Sequence, residues 1–122
     1  MLPKDTKYTI SWLPFLLSPK TPPEGINRFK YLGEHYGMTE EDCIDHDKYL
    51  QEKGAPLGIK FNISSVVSNT IPAHRLAEYA KTVGKGHEAV MVIFKKYFDE
   101  AKDVGKVEVL DEIVKELGIT LV

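Results

Sequence analysis

Tyr8-Thr9-Ile10-Ser11-Trp12-Leu13-Pro14-Phe15 leads directly into Leu16-Leu17-Ser18-Pro19-Lys20-Thr21-Pro22-Pro23-Glu24-Gly25, and the reading of this stretch decides the fold. Tyr8, Ile10, Trp12 and Pro14 fall on one side of an alternating run. Thr9, Ser11, Leu13 and Phe15 take the other, which is the period of a β-strand. Both sides become apolar toward Phe15, so the expected strand is buried on two faces at its far end or paired with another sheet element. Pro14 has no N–H for a ladder bond and should cost the strand a neighbour there. Pro19, Pro22 and Pro23 then restrict the backbone to a stiff connector before Gly25. A strand with no close partner is followed by a chain that is mostly helical.

Outward from that stretch, residues 26–36 place Phe29, Leu32, Gly33 and Tyr36 near one face, with Gly37 as terminator. Thr39 and Asp42 form the acid version of a capping box, opening a helix through about residue 52 with a weak face of Cys43, His46 and Leu50. The segment from Gly54 to Gly58 ends it, and 59–63 reads as a short edge strand or extended chain. Thr70 can cap the next helix, with Pro72 in its first turn and Ala73, Leu76, Ala77, Ala80 and Val83 on a flat apolar face. Gly84 and Gly86 break that run. The strongest core pattern lies in 87–101, where Val90, Ile93, Phe94, Tyr97 and Phe98 keep helical spacing. Asp103 is the expected cap of a last helix carrying Leu110, Ile113, Val114 and Leu117, closed by Gly118. Each buried Leu or Phe contributes roughly 1.5–3 kcal/mol, so four amphipathic helices supply a core.

The 122 residues suit one domain with its own core. Eighteen acidic and sixteen basic residues leave a formal charge of -2, with the basic residues scattered, so nucleic acid is not an expected partner. Glu40, Glu41, Asp42, Asp45, Asp47 and Glu52 should make one helix face acidic and solvated. Cys43 is the single cysteine, which excludes an intramolecular disulfide and a CxxC dithiol. No signal peptide is recognisable and no apolar run is long enough to cross a membrane, so a cytoplasmic protein without a membrane partner is expected. No cofactor or metal is expected either.

Several residues invite a chemical reading. Cys43 and His46, three apart on a helix, have the spacing of two metal ligands or of a thiol and its base, but no third group completes either site. The bland alternative is a half-buried cysteine beside a surface histidine. His74 and Arg75, after Asn69 and Thr70, stand at a helix start where amides and partial positive charge favour an anion. The structural alternative is that Asn69 and Thr70 cap while His74 and Arg75 tie the helix to nearby loops. Trp12 and Phe15 line either a cleft or a core. Tyr97 and Phe98 are expected to be packing.

The run Ser11–Pro19 with Pro22-Pro23-Glu24-Gly25 resembles the second strand and following turn of DsbA-family proteins of the FrnE-like branch. Gly58–Phe61, Ser68–Leu76, Phe94–Phe98, Asp103–Gly105 and Val109-Leu110 follow in the order of that family. Pro72 departs from its pattern, which has an acidic residue there. The resemblance implies a mainly α chain: the helical insertion domain of a DsbA-like thioredoxin fold, with one N-terminal strand and an incomplete thioredoxin sheet. Residues 1–25 would be the strand and connector, 26–118 the helical domain, and 119–122 the start of a truncated segment. Thiol–disulfide oxidoreductases, 2-hydroxychromene-2-carboxylate isomerase and kappa-class glutathione transferase are similar proteins, whose CxxC (or Ser/Cys variant) and cis-proline loop would lie outside this chain. It implies a segment inactive by itself, or an interaction module, with protein or small-thiol substrates in an intact homologue. Trp12, Phe15, Asn69, His74 and Arg75 would then sit at a substrate cleft or domain junction. The apolar Tyr8–Phe15 edge is expected to pair with a second copy.

Overall fold

The computed structural model describes residues 2–62 and 64–120. Five α-helices dominate: α1 (Arg28–Tyr36), α2 (Glu40–Gly54), α3 (Ile71–Thr82), α4 (Gly86–Phe94) and α5 (Val107–Leu117). Two short strands, β1 (Ile26–Asn27) and β2 (Val66–Val67), pair antiparallel with Ile26 opposite Val67 and Asn27 opposite Val66. The chain is mainly α, as expected, but the strand expected at Tyr8–Phe15 does not form. Residues 7–16 have no ladder partner among the described residues, and a strand gains its stability from cross-strand pairs. Ile59–Asn62 is likewise not a strand. Ile63, Leu121 and Val122, included in the expected 59–63 and 119–122 segments, and Met1 lie outside the described residues.

Local chemistry accounts for most helix ends. Thr39 Oγ1 accepts from Asp42 N at 3.1 Å while Asp42 Oδ2 accepts from Thr39 N at 2.9 Å, completing the capping box. Gly37 and Gly118 end α1 and α5 with left-handed φ values of 65° and 66°. Two expected caps are replaced. Asn69 Oδ1, not Thr70, accepts from Ile71 N at 3.1 Å. Asp103 Oδ1 accepts from Gly105 N at 2.8 Å and so shapes the turn before α5 instead of capping it.

The main core joins Leu76 and Ala80 of α3, Ala89 of α4, and Ile113 and Leu117 of α5, with Ile119 beyond. Val83 is exposed because it follows the end of α3. The single helix expected over 87–101 stops at Phe94 and continues as a π-helical turn, Lys95–Asp99, in which Lys95 O accepts from Glu100 N at 3.2 Å. The wider turn changes which side chains face inward, and Lys96 becomes buried. Its ammonium reaches Glu116 Oε1 at 2.6 Å, Glu100 Oε2 at 3.5 Å and Glu112 Oε2 at 3.7 Å, so the stem is inside while the charge meets Glu100 and two carboxylates of α5.

The first two helices are joined differently. The buried face of α2 is Cys43, Asp47 and Gly54, while His46 is exposed. Asp47, expected in the solvated acidic patch, is buried because the Arg28 guanidinium pairs with both of its oxygens. Gly54 is required by close approach: a Cβ there would lie 2.7 Å from the Phe61 ring and 2.8 Å from Ile59 O.

Asp47→Ala leaves Arg28 unpaired in this half-dry site and should destabilise the fold by about 3 kcal/mol. Arg28→Met with Asp47→Leu removes both charges and should recover most of that loss in urea unfolding. Lys96→Met should cost about 1–2 kcal/mol, since its carboxylate partners are partly solvated. Hydrogen bonding to Glu116 raises the Lys96 pKa above its ordinary 10.5. Its contribution is complete below pH 10.5 and is lost as pH rises through the folded value. Alkaline unfolding profiles of wild type and Lys96→Met should therefore converge above that point.

Candidate functional site

The antiparallel pair α3 and α4 leaves an apolar cleft at the end away from its connecting turn. Ala73 and Ala77 are small, which leaves room along α3, and His74 and Glu78 lie one helical turn apart beside them. Val90, Ile93 and Phe94 of α4, then Tyr97 and Phe98 of the π turn, form the opposite wall. Tyr31 of α1, Val67, Ser68 and Val104 line it too, and the chain from Trp12 to Ser18 runs along it. The volume of this partly open cleft is about 420 Å³, within the range of small-molecule sites.

The N-terminal segment is tied at both ends. Trp12 Nε1 donates to His87 Nδ1 at 3.0 Å, and the indole meets the Phe94 ring edge-on with centroids 5.6 Å apart. At the other end the Ser18 and Tyr31 hydroxyls are in contact, and Asn69 Nδ2 donates to Thr21 O at 3.1 Å. Between these ties Leu13, Phe15 and Leu17 remain 79%, 73% and 79% exposed. Burial raises the Tyr97 phenol above its ordinary value of 10.0, so this side chain stays neutral at physiological pH. Ser68 Oγ is buried without a hydrogen-bond partner among the described residues.

Of the residues singled out in the sequence, Trp12, Phe15 and His74 line this cleft together. Arg75 does not. It is exposed on the outer side of α3, where it joins Pro14, Phe15, Leu16, Ile71, His74 and Glu78 around a shallower groove. Asn69 is occupied on both sides of its amide, bridging Thr21 to the start of α3, and so serves the fold. Tyr97 and Phe98, expected only as packing, also line the cleft. Phe98 packs against Phe61 and Phe94 at centroid distances of 5.8 and 5.9 Å. His87 was missed by sequence reading because a lone histidine after Gly86 carries no pattern. Its partner is 75 residues away in the chain.

Cys43 and His46 form no site. Cys43 is 1% exposed on the buried face of α2, and His46 is exposed on the same helix. Among the described residues no group of three His, Cys, Asp or Glu side chains is placed to hold a metal ion. None of their helices is long and apolar enough to cross a membrane. The cleft can therefore exclude water around an apolar group and offer it the edges of His74, Tyr31 and Tyr97. It presents no cysteine.

Comparison with known proteins gives this arrangement a context. The uncharacterized protein YwbO of Bacillus subtilis (strain 168) is 24% identical over 112 residues, covering 90% of this chain and 52% of that protein. The chain thus spans about half the length of the curated relative it matches. The match to the DSBA-like thioredoxin domain runs over residues 2–121, and the chain belongs to that family.

Proposed function

We propose that this chain is the substrate-holding helical part of a thiol–disulfide oxidoreductase, and that it performs no dithiol turnover alone. The observation that carries the reading is the separation of its two candidate features. The apolar cleft lies between α3, α4 and the N-terminal segment, whereas the sole cysteine is 1% exposed on α2. Disulfide exchange begins with attack by an accessible thiolate, and a substrate disulfide cannot reach Cys43 without displacing the residues that bury it. The redox cysteines would come from outside these 122 residues. The cleft would hold the apolar part of a substrate while they react.

In an insulin-reduction assay this chain should give no rate above that of dithiothreitol alone, and Cys43→Ser should behave identically. A clear rate that Cys43→Ser abolishes would sink the reading. Nile red, an uncharged apolar dye, should bind the wild type, and Ala77→Trp, which fills the cleft, should lower that binding at least tenfold while circular dichroism stays unchanged.

A second reading, an association module, is favoured by the N-terminal segment itself. Tyr8, Ile10, Leu13, Phe15 and Leu17 are all exposed, on backbone with no ladder partner among the described residues. Such a run is suited to pairing with the same run of a second copy. Light scattering at tens of micromolar should then report a dimer that Ile10→Lys with Leu13→Lys returns to monomer. A wild-type monomer at that concentration overturns it.

A further inference from the structure

We propose that residues 12–18 are a strap over the cleft and that the Trp12–His87 hydrogen bond is its latch, opened by protonation of His87. The inference rests on the reading that the cleft is the ligand site, and it supplies the control of access to it.

The two ends of the strap are anchored unequally. Beyond Ser18 the chain is held by the Ser18–Tyr31 contact, by Thr21 N donating to Ser18 O at 3.1 Å, and by Asn69 donating to Thr21 O. Pro19, Pro22 and Pro23 stiffen this end into a natural pivot. Along the strap, the high exposure of Leu13, Phe15 and Leu17 means that little of their apolar surface is removed from water. Trp12 is therefore the principal tie at the free end, through Phe94 and His87.

The chemistry of that tie depends on one proton. An indole N–H is a donor only, so His87 Nδ1 must accept, which requires a neutral ring with its proton on Nε2. An imidazolium has N–H on both nitrogens and turns the contact into two opposed donors. Stacking of the cation on the indole face would offset this, but the geometry disfavours it. The ring planes differ by 18°, the centroids are 6.2 Å apart, and the joining N···N distance is 3.0 Å. The rings therefore meet nearly edge to edge, and the edge of an aromatic ring repels a cation.

The charged groups beside His87 in the chain are Glu88 on α4 and Lys85 just before it, whose ammonium is engaged by Leu117 O of α5. On α3, the stem of Lys81 lies against Gly86 and its ammonium pairs with Glu78 at 2.7 Å, while His74 lines the cleft.

Trp12 is the only tryptophan, so its emission reports the strap directly. Between about pH 8 and pH 5, wild-type emission should shift red, acrylamide quenching should rise, and Nile red binding should increase about two- to fivefold, the effect of losing one solvent-exposed hydrogen bond. His87→Phe offers no acceptor and should be open at both pH values. His87→Gln keeps an acceptor that does not titrate and should be closed at both. His74→Gln should retain the Trp12 shift. Persistence of the shift in His87→Gln, or a wild-type emission maximum independent of pH, overturns the latch. Dye binding that ignores both pH and His87 overturns the gating while the cleft reading stands. No dye binding in any variant, with the Trp12 shift intact, removes the cleft reading and the gating with it.

Discussion

The close approach of α3 to α4 is the constraint from which the rest of the structure follows. Ala80 and Ala89 are both fully buried, and their small side chains let the two helices meet without a layer of larger residues between them. The turn between the helices closes on the same point, with Ala80 O accepting from Val83 N at 3.2 Å and Lys85 N at 2.8 Å. Lys85 in turn reaches the C-terminal carbonyl of α5, which brings Ile113 and Leu117 onto the pair. At the far end the facing residues change to Ala73 and Ala77 on one side and Phe94 on the other. Small side chains opposite aromatic ones leave the space that becomes the cleft.

A second constraint organises the N-terminal half. Arg28 and Asp47 neutralise each other where α1 crosses α2, and this permits an otherwise polar helix to present a buried face. Charge pairing here stands in for the apolar stripe that α2 lacks. The same device appears at Lys96, where carboxylates of α5 receive an ammonium whose stem is enclosed by the core. Both pairs join elements distant in sequence, and their desolvation is offset by charged hydrogen bonds.

Helix content was legible from residue spacing. Ile113 and Leu117, the capping box at Thr39 and Asp42, and the left-handed Gly37 and Gly118 all occupy the positions that local rules assign. Illegible were the features made by partners far apart in the chain. Nothing near Asp47 announces Arg28, and nothing near Lys95 announces a π turn. A run with strand-like alternation at Tyr8–Phe15 remains unpaired among the described residues, since alternation describes a surface and a ladder needs a second backbone. The candidate site was partly visible, through Trp12, Phe15 and His74. Tyr31 and Ser68 were not, because each joins the cleft only through the path of the chain between elements, and neither was His87, which holds Trp12 beside it.

By itself, then, the sequence determined a mainly helical chain, the helix ends at Gly37, Thr39 and Gly118, the family resemblance and the lack of a cysteine pair. These follow from residue identity and from spacings of a few residues, where hydrogen bonding and periodicity act locally. Tertiary structure decided that Asp47 and Lys96 are interior, that Cys43 is shielded, and that Trp12 rests on His87 above an apolar cleft. Those outcomes depend on which surfaces meet after the helices dock, and burial and charge pairing are settled only by that meeting.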